Sequence, residues 1–517
     1  MTESCDVVVI GAGHNGLVCA AYLARAGLQV IVCEASAAPG GMAREREFGD
    51  VYRVPALAHL QPGLGASIVS DLGLEQHGYS PGKRVDTVAI GGKSGPLVLS
   101  ADSVDGPELA AGDAEAYRDF RARYLDFSAA LAPLFQAKPP RLRNLAPGDR
   151  KVLARTGWNL RFGLGRESMY EFLRVAAINI YDLLNEHFDD DRLKGTIAFD
   201  AVLGSAMGPR TPGTVLAWLH RLANERAGEP TYTRAGLVGS LFAAASSAGA
   251  SIRLASPVDE ILIDDDRAVG VRLTGGEKIT AARVVAAIDP RQTFLQLVGA
   301  PRLDATFSRR AAQIRGSGVV GKLHLGLAGL PEVAGVDPKL LGSRMVLAPS
   351  MRYVERAFNP AKYGEYSEQP VLEITLPSSN DPSLAPEGHH VMSVNVAYLP
   401  YRLKSGWQTA REPVIRHVIA ELGRYMPGIE DLVTAIDFLS PEDIAREYGA
   451  VEGHWHLGEL SIHQSLMLRP LFGAAQDDTP LDGLYLCSAG CHPGGGLSGM
   501  PGHNAASRIL ESGSGSP

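Results

Sequence analysis

Two glycine clusters, one towards each end of the chain, are the residues best placed to do chemistry. In the first, Gly11-x-Gly13-x-x-Gly16 follows the apolar run Val7-Val8-Val9-Ile10 directly, with His14 and Asn15 inside the turn. Val18, Ala21, Tyr22 and Leu23 then recur at helical spacing up to Gly27, and a second apolar run, Val30-Ile31-Val32, ends at Glu34. Each part has a physical job in gripping a dinucleotide. Gly11 permits the tight turn, Gly13 lets backbone approach a pyrophosphate, and Gly16 lets the helix pack on the strand. The helix N-terminus turns its positive end to the phosphates. Glu34 stands where a carboxylate accepts from ribose hydroxyls and disfavours a 2'-phosphate.

The second cluster follows another short apolar run, Leu484-Tyr485-Leu486-Cys487. It reads Gly490, then His492-Pro493-Gly494-Gly495-Gly496, then Gly499-Met500-Pro501, before an alanine-rich helical stretch. Gly494-x-Gly496-x-x-Gly499 repeats the dinucleotide spacing, but too little chain follows for a second strand and its acid. The expected arrangement is one site assembled from both clusters.

Further motifs say which dinucleotide. Gly40-Gly41-Met42-Ala43-Arg44 resembles the G-G-x-x-[RST] extension of flavoproteins. Asp200-Ala201-Val202-Leu203-Gly204, Pro209-x-Thr211-Pro212-Gly213, His220 and Asn380-Asp381-Pro382 add matches in the middle of the chain. So do Gly458-Glu459-Leu460-Ser461, Gln464 and Arg469-Pro470. Together with His492-Pro493-Gly494-Gly495-Gly496 they resemble the phytoene desaturase/carotenoid isomerase family of flavoproteins. The likeness is strongest to its branch named for a pyridine nucleotide-disulfide oxidoreductase domain. The resemblance implies FAD, contacted by Gly11, Gly13, His14, Asn15, Gly16, Glu34, Gly41, Arg44, Val258, Gly490, Gly499, Met500 and Pro501. It implies an α/β fold of the glutathione-reductase/amine-oxidase type. A Rossmann-like FAD-binding domain would be assembled from 1–75, 232–300 and 475–517. A mixed sheet-plus-helices substrate domain would take 76–231 and 301–474.

Departures bear on function. Arg234-Ala235-Gly236-Leu237 stands where relatives carry Gly-Gly-Met-Gly, Leu457 replaces a histidine, and His463 replaces an aspartate. No C-x-x-C is present, so disulfide reduction is disfavoured.

The whole chain of 517 residues is 45% hydrophobic and 21% charged, the balance of a packed protein rather than a disordered one. Its net charge of -8 argues against nucleic-acid binding. Five cysteines without framework spacing read as reduced, packed thiols, and no histidine cluster has metal spacing. With neither a signal-like start nor a long uncharged apolar run, the expected location is the cytoplasm or an organelle matrix, not outside the cell.

The chemistry follows from the implied cofactor. A flavin accepts hydride from a C–H held close to it, and loss of a neighbouring proton completes a C=C bond. Candidate groups near the ring are His456 and His463 for the proton and Arg469 for positioning a substrate carbonyl or carboxylate. The expected partners are an apolar polyene, isoprenoid or alicyclic substrate and a quinone or dioxygen as electron acceptor. The oligomeric state stays open, a homodimer included. Segment 138–166, with Lys138, Arg141, Arg143, Arg150, Lys151, Arg155, Arg161 and Arg166 against Asp149 alone, reads either as a peripheral membrane contact or as a solvated helical face or partner contact. Amine oxidation remains an alternative, although neither the aromatic cage nor the lysine-bound water of amine oxidases in this superfamily is legible. Reduced-flavin isomerisation of a polyene and a flavin-stabilised regulatory protein of low turnover are the others.

Overall fold

The computed structural model describes residues 3–513 except 62–63, 83, 136, 142–144, 228–230 and 233–235. Two sheets organise the chain. The first has seven strands, in the order Ser251–Arg253, Val30–Cys33, Glu3–Ile10, Lys278–Ala286, Arg267–Leu273 and Val258–Asp264, with Leu484–Leu486 also pairing with Lys278–Ala286. Strand Glu3–Ile10 is parallel to both neighbours, and Leu484–Leu486 is parallel to Lys278–Ala286. A strand so placed is covered on both faces, which is why Val7 to Ile10 are apolar without alternation. Val7 and Val9 pack under helix His14–Arg25 and helix Met500–Gly513. Val8 and Ile10 meet Phe294, Phe307 and Leu471 on the other side. The turn into the first helix needs its glycines: Gly11 has φ +98°, and a Cβ on Gly16 would collide with the Gly11 carbonyl.

The second sheet has eight strands, in the order Val433–Leu439, Val320–Leu327, His390–Ala397, Leu372–Thr375, Arg344–Leu347, Thr87–Ile90, Leu97–Leu99 and Val104–Asp105. Its central strands alternate apolar and polar residues, the pattern of a sheet with one wet face. Here both faces are buried. Leu323, Leu325, Ile374, Val394 and Val396 join Trp407, Val414 and Val418 of helix Trp407–Gly423 in one apolar core. Register aligns the polar positions on the opposite face: Lys322 and Glu373 both pair with Asn395, and His324 and Thr375 both pair with Ser393.

A helical group, including Asp113–Phe135, Asp191–Val202 and Thr214–Ala227, closes over the end of this sheet around Phe120, Tyr124, Phe127 and Trp218. Helices Asp191–Val202 and Thr214–Ala227 are separate elements. The first ends before Gly204, which has φ +81° and where a Cβ would collide with the Trp455 ring, and the second begins after Gly213.

The basic segment divides as well. Lys138 pairs with Glu511 (2.6 Å) and Arg141 with Asp478 (3.3 Å), so both are held against the carboxyl-terminal part of the chain. Leu160 and Leu164 turn inwards onto the aromatic cluster. Arg143 and Arg234 lie outside the described residues. Among the described residues no helix is long and apolar enough to cross a membrane. The five thiols are unpaired, and burial pushes Cys5 up to about 11 and Cys33 and Cys491 up to about 12.

Among the histidines closed inside this fold are His59, His220, His324 and His492. Burial lowers His59 and His220 to about 4 and His492 to about 3, and holds His324 well below 6.5. The unfolded chain therefore binds protons near pH 6.5 that the folded chain refuses until about pH 4. Stability from this source is complete above pH 6.5 and is lost as pH falls. Each histidine contributes about 1.4 kcal/mol per pH unit across that window. Urea midpoints measured between these limits should fall steeply towards acid, whereas a flat profile would contradict neutral burial.

Candidate active site

Both sheets wall a single cavity of about 730 Å³. At one end its surface is backbone and short side chains: Gly11, Gly13, His14, Asn15, Glu34, Ser36, Gly41, Arg44 and Val258. A Cβ on Gly13 would meet nothing, so the wall there is open to the cavity. Gly13 is also the N-cap of helix His14–Arg25 and supplies no side-chain cap, which leaves the first backbone N–H groups to an outside acceptor. His14 Nε2 and Asn15 Oδ1 are buried without partners at the same place. The Glu34 carboxylate is fixed by the Ala12 N–H (2.7 Å) and the Ser36 N–H (2.8 Å). Arg44 donates to Ser36 Oγ (2.6 Å) and lies over the Tyr448 ring at 4.8 Å. Open glycines, uncapped N–H groups, orphaned polar atoms and an oriented acid fit the pyrophosphate and ribose of FAD.

The opposite end is a closed polar network built on the charges of Arg344, Glu373 and Asp200. Arg344 donates to Glu373 (2.5 Å) and to Asp200 (2.7 Å). His59 donates from Nε2 to Glu373 (3.0 Å), which leaves Nδ1 to accept from Lys322 Nζ at 2.7 Å. Lys322 also donates to Asn395 Oδ1 (2.8 Å), and Asn395 returns its amide to Glu373 (2.6 Å). Burial holds Lys322 well below the usual ammonium range, while Arg344 and His59 keep Glu373 ionised. His59, Asp200, Glu373 and Asn395 reach the cavity wall from this network. No motif in the sequence assigns a role to these four or to Lys322. For Lys322, Glu373 and Asn395 the signal was the polar half of the strand alternation, which registers as a solvated face unless the second face is known to be covered.

Between the two ends lie Ala201, Leu203, Ala217, His220, Trp455, His456, Leu460, Gly496 and Leu497. His456 rests on Trp455 (5.6 Å between ring centres), and burial beside His454 and Arg469 keeps its imidazole neutral. A Cβ on Gly495 would stand 3.0 Å from His456 Nδ1, so the glycine there is a packing requirement.

Of the candidate residues, eight cofactor contacts and His456 line the cavity. Gly16, Gly490, Gly499, Met500 and Pro501 do not. Gly16 packs on Gly11, Gly490 on Pro290 and Leu457, and Gly499 on Ile68 and Leu64. Ala489, Gly496 and Leu497 are the wall residues of the carboxyl-terminal cluster. His463 is exposed, 3.4 Å from Ser461 Oγ, and lies outside the cavity wall. Arg469 does not face a substrate either. It is fully buried and donates to the carbonyls of His456 (2.9 Å), Gly458 (3.2 Å), Glu459 (3.0 Å) and Ala489 (3.0 Å). It therefore fixes the His456 loop against the glycine cluster. Among the described residues no cluster of ligands suits a metal ion.

Comparison with known proteins agrees with this geometry. The family model described as flavin containing amine oxidoreductase matches residues 16–510. Pyridine nucleotide-disulfide oxidoreductase domain-containing protein 2 of Rattus norvegicus is 31% identical, over 97% of this chain and 92% of its own. A limonene dehydrogenase chain of Castellaniella defragrans is 27% identical, over 98% of this chain and 95% of its own. The structure of cyclohexylamine oxidase from Brevibacterium oxydans superposes with a TM-score of 0.60 at 16% identity, covering 99% of each chain. It shares the fold.

Two substitutions test the site. Arg469→Met leaves the carbonyls of His456 and Gly458 without a donor, while those of Glu459 and Ala489 keep Gln464 and the Gly495 N–H. It should cost several kcal/mol, at about 1 to 3 kcal/mol for each group left unpaired. A thermal midpoint within a degree or two of the parent would contradict that role. Gly16→Val pushes the first helix off its strand, and the purified variant should lose its yellow cofactor on gel filtration where the parent keeps it.

Proposed function

The chain belongs to the flavin-containing amine oxidoreductase family, and from that premise we propose that it is a dehydrogenase forming C=C bonds in apolar alicyclic or isoprenoid substrates. FAD, when bound, supplies the two-electron acceptor. The observation that carries the reading is the state of the cavity's acids. Five carboxylates line it, Glu34, Asp200, Asp289, Glu373 and Glu447, and every one is committed. Glu34 holds backbone N–H groups, Asp289 holds those of Arg291 and Val451, Glu447 pairs with Arg46, and Asp200 and Glu373 pair with Arg344. Among the described residues no acid of the wall is left to receive an ammonium group. Charged groups cannot enter such a space without a partner, whereas a hydrocarbon can.

This chain's own residues then bind, orient and take a proton. Ala201, Leu203, Ala217, Leu460 and Leu497 exclude water around the substrate and hold it by its surface. His456, neutral and turned into the cavity, takes the proton at its ring nitrogen, while Arg469 holds its loop in place. A quinone or dioxygen removes the electrons between turnovers. The name of the limonene dehydrogenase relative supports an alicyclic hydrocarbon.

Amine oxidation is the second reading, and Lys322 favours it. A buried lysine hydrogen-bonded to His59 and Asn395 of the cavity wall has the character of the lysine that amine oxidases of this superfamily place near the flavin. Anaerobic rapid mixing separates the two. Limonene should bleach the flavin's visible absorbance and cyclohexylamine should not; the reverse result overturns the proposal. His456→Ala should slow bleaching by about 100-fold or more with little change in substrate affinity.

A further inference from the structure

One surface remains that the cavity does not use. Helix Pro147–Trp158, the turn Asn159–Gly163 and helix Gly165–Val175 run on from one another along the outside of the helical group. Their inner side is anchored: Phe172 and Val175 are buried, and Leu160 and Leu164 pack on the aromatic cluster. Their outer side carries Trp158 at 65% exposure, Phe162 at 60%, Tyr170 at 56% and Leu173 at 62%. Trp158 and Phe162 lie against each other at 4.4 Å between ring centres. Two large aromatic rings in contact with each other and open to water are unusual for a surface without a partner.

The same side carries exposed Arg150, Lys151, Arg155, Arg161 and Arg166, against the single exposed acid Glu167. None of the five makes an ion pair among the described residues. Arg161 and Arg166 instead lie over the Phe162 and Tyr170 rings, at 5.2 and 5.8 Å. Arg174 is different, being bound to Glu171 and Glu186 at 2.7 Å each. On a chain of net charge -8, five such cations interleaved with exposed rings form a local reversal of sign.

We propose that residues 150–173 form a docking face for an anionic lipid bilayer. The rings enter the headgroup boundary and the cations meet lipid phosphates and carboxylates. Lys138 and Arg141, tied to Glu511 and Asp478, lie outside it. The face rests on the aromatic cluster that also contains Phe135 and Leu466. These two residues wall a narrow apolar slot that shares Ala217, His220 and Leu460 with the main cavity. The inference stands on surface charge and exposed rings, separately from the dehydrogenase reading.

The test uses the FAD-loaded full chain and vesicles of phosphatidylcholine with or without phosphatidylserine. The parent should sediment with the serine-containing vesicles, release at high salt, and ignore pure phosphatidylcholine. Each exposed cation near such a surface is worth about fivefold in binding, so R150E/K151E/R155E should weaken it by at least about 100-fold. Lipid-induced change in tryptophan emission should vanish in Trp158→Phe. Retained FAD in both variants shows that they fold. Failure of the parent to bind acidic vesicles at low salt overturns the proposal, as does equal binding by the charge-reversed variant. So does self-association abolished by the same reversal without vesicle binding. Bleaching by limonene is read separately and is indifferent to these outcomes.

Discussion

A charge taken out of water must find its counterpart within the protein, and that requirement shapes the whole of the second sheet. Arg344 and Glu373 are nearly inaccessible charges, and Lys322 and His59, held neutral by burial, are closed in against them. Breaking one partner from such a set leaves an uncompensated buried charge, which is far more costly than the set as a whole is stabilising. The network therefore fixes the register of four central strands. It also fixes what the cavity offers to a ligand. Because the acids at its deep end already serve Arg344, the cavity is chemically apolar although its wall is rich in charged residues.

The first sheet answers a different demand. A dinucleotide needs backbone within reach of its phosphates, and only residues without side chains allow that approach. Gly11 and Gly13 meet it on the wall itself. The carboxyl-terminal glycines meet a related demand one layer back, where Gly494 and Gly495 allow Arg469 and His456 to lie against the chain. Arg469 is the link between the layers. By holding carbonyls on both the His456 loop and Ala489, it ties the proton-accepting side of the cavity to the cofactor side. The two glycine clusters themselves meet directly through the helices that follow them, where a Cβ on Gly502 would collide with the Asn15 carbonyl.

Much of this was legible in the residues. Val7 to Glu34 declare their strand, helix and strand because buried parallel strands and glycine turns leave local signatures. The motif around Gly458 and Arg469 pointed to the right region. It did not reveal roles, since whether Arg469 faces a ligand or a ring of carbonyls depends on the path of the loop. His463 looked equivalent to His456 by type and position, yet a short 3-10 turn at Ile462–Gln464 carries it outwards. The least legible feature was the polar face through Lys322, Glu373 and Asn395. Its alternation is the ordinary pattern of a half-wet sheet, and only the tertiary fold shows that the second side is covered. His59 lies far from these residues in sequence and meets them only in three dimensions.

The account turns on a single space shared by cofactor and hydrocarbon. The direct measurement is a titration of the FAD-loaded protein with p-menthane, a saturated ring that cannot be dehydrogenated through an activated C–H. A shared cavity predicts a saturable perturbation of the flavin's visible band, diminished when Ala217→Trp fills the wall between the two ends. An unchanged spectrum at saturating hydrocarbon, with binding detected by another method, would place the ligand elsewhere and contradict the account.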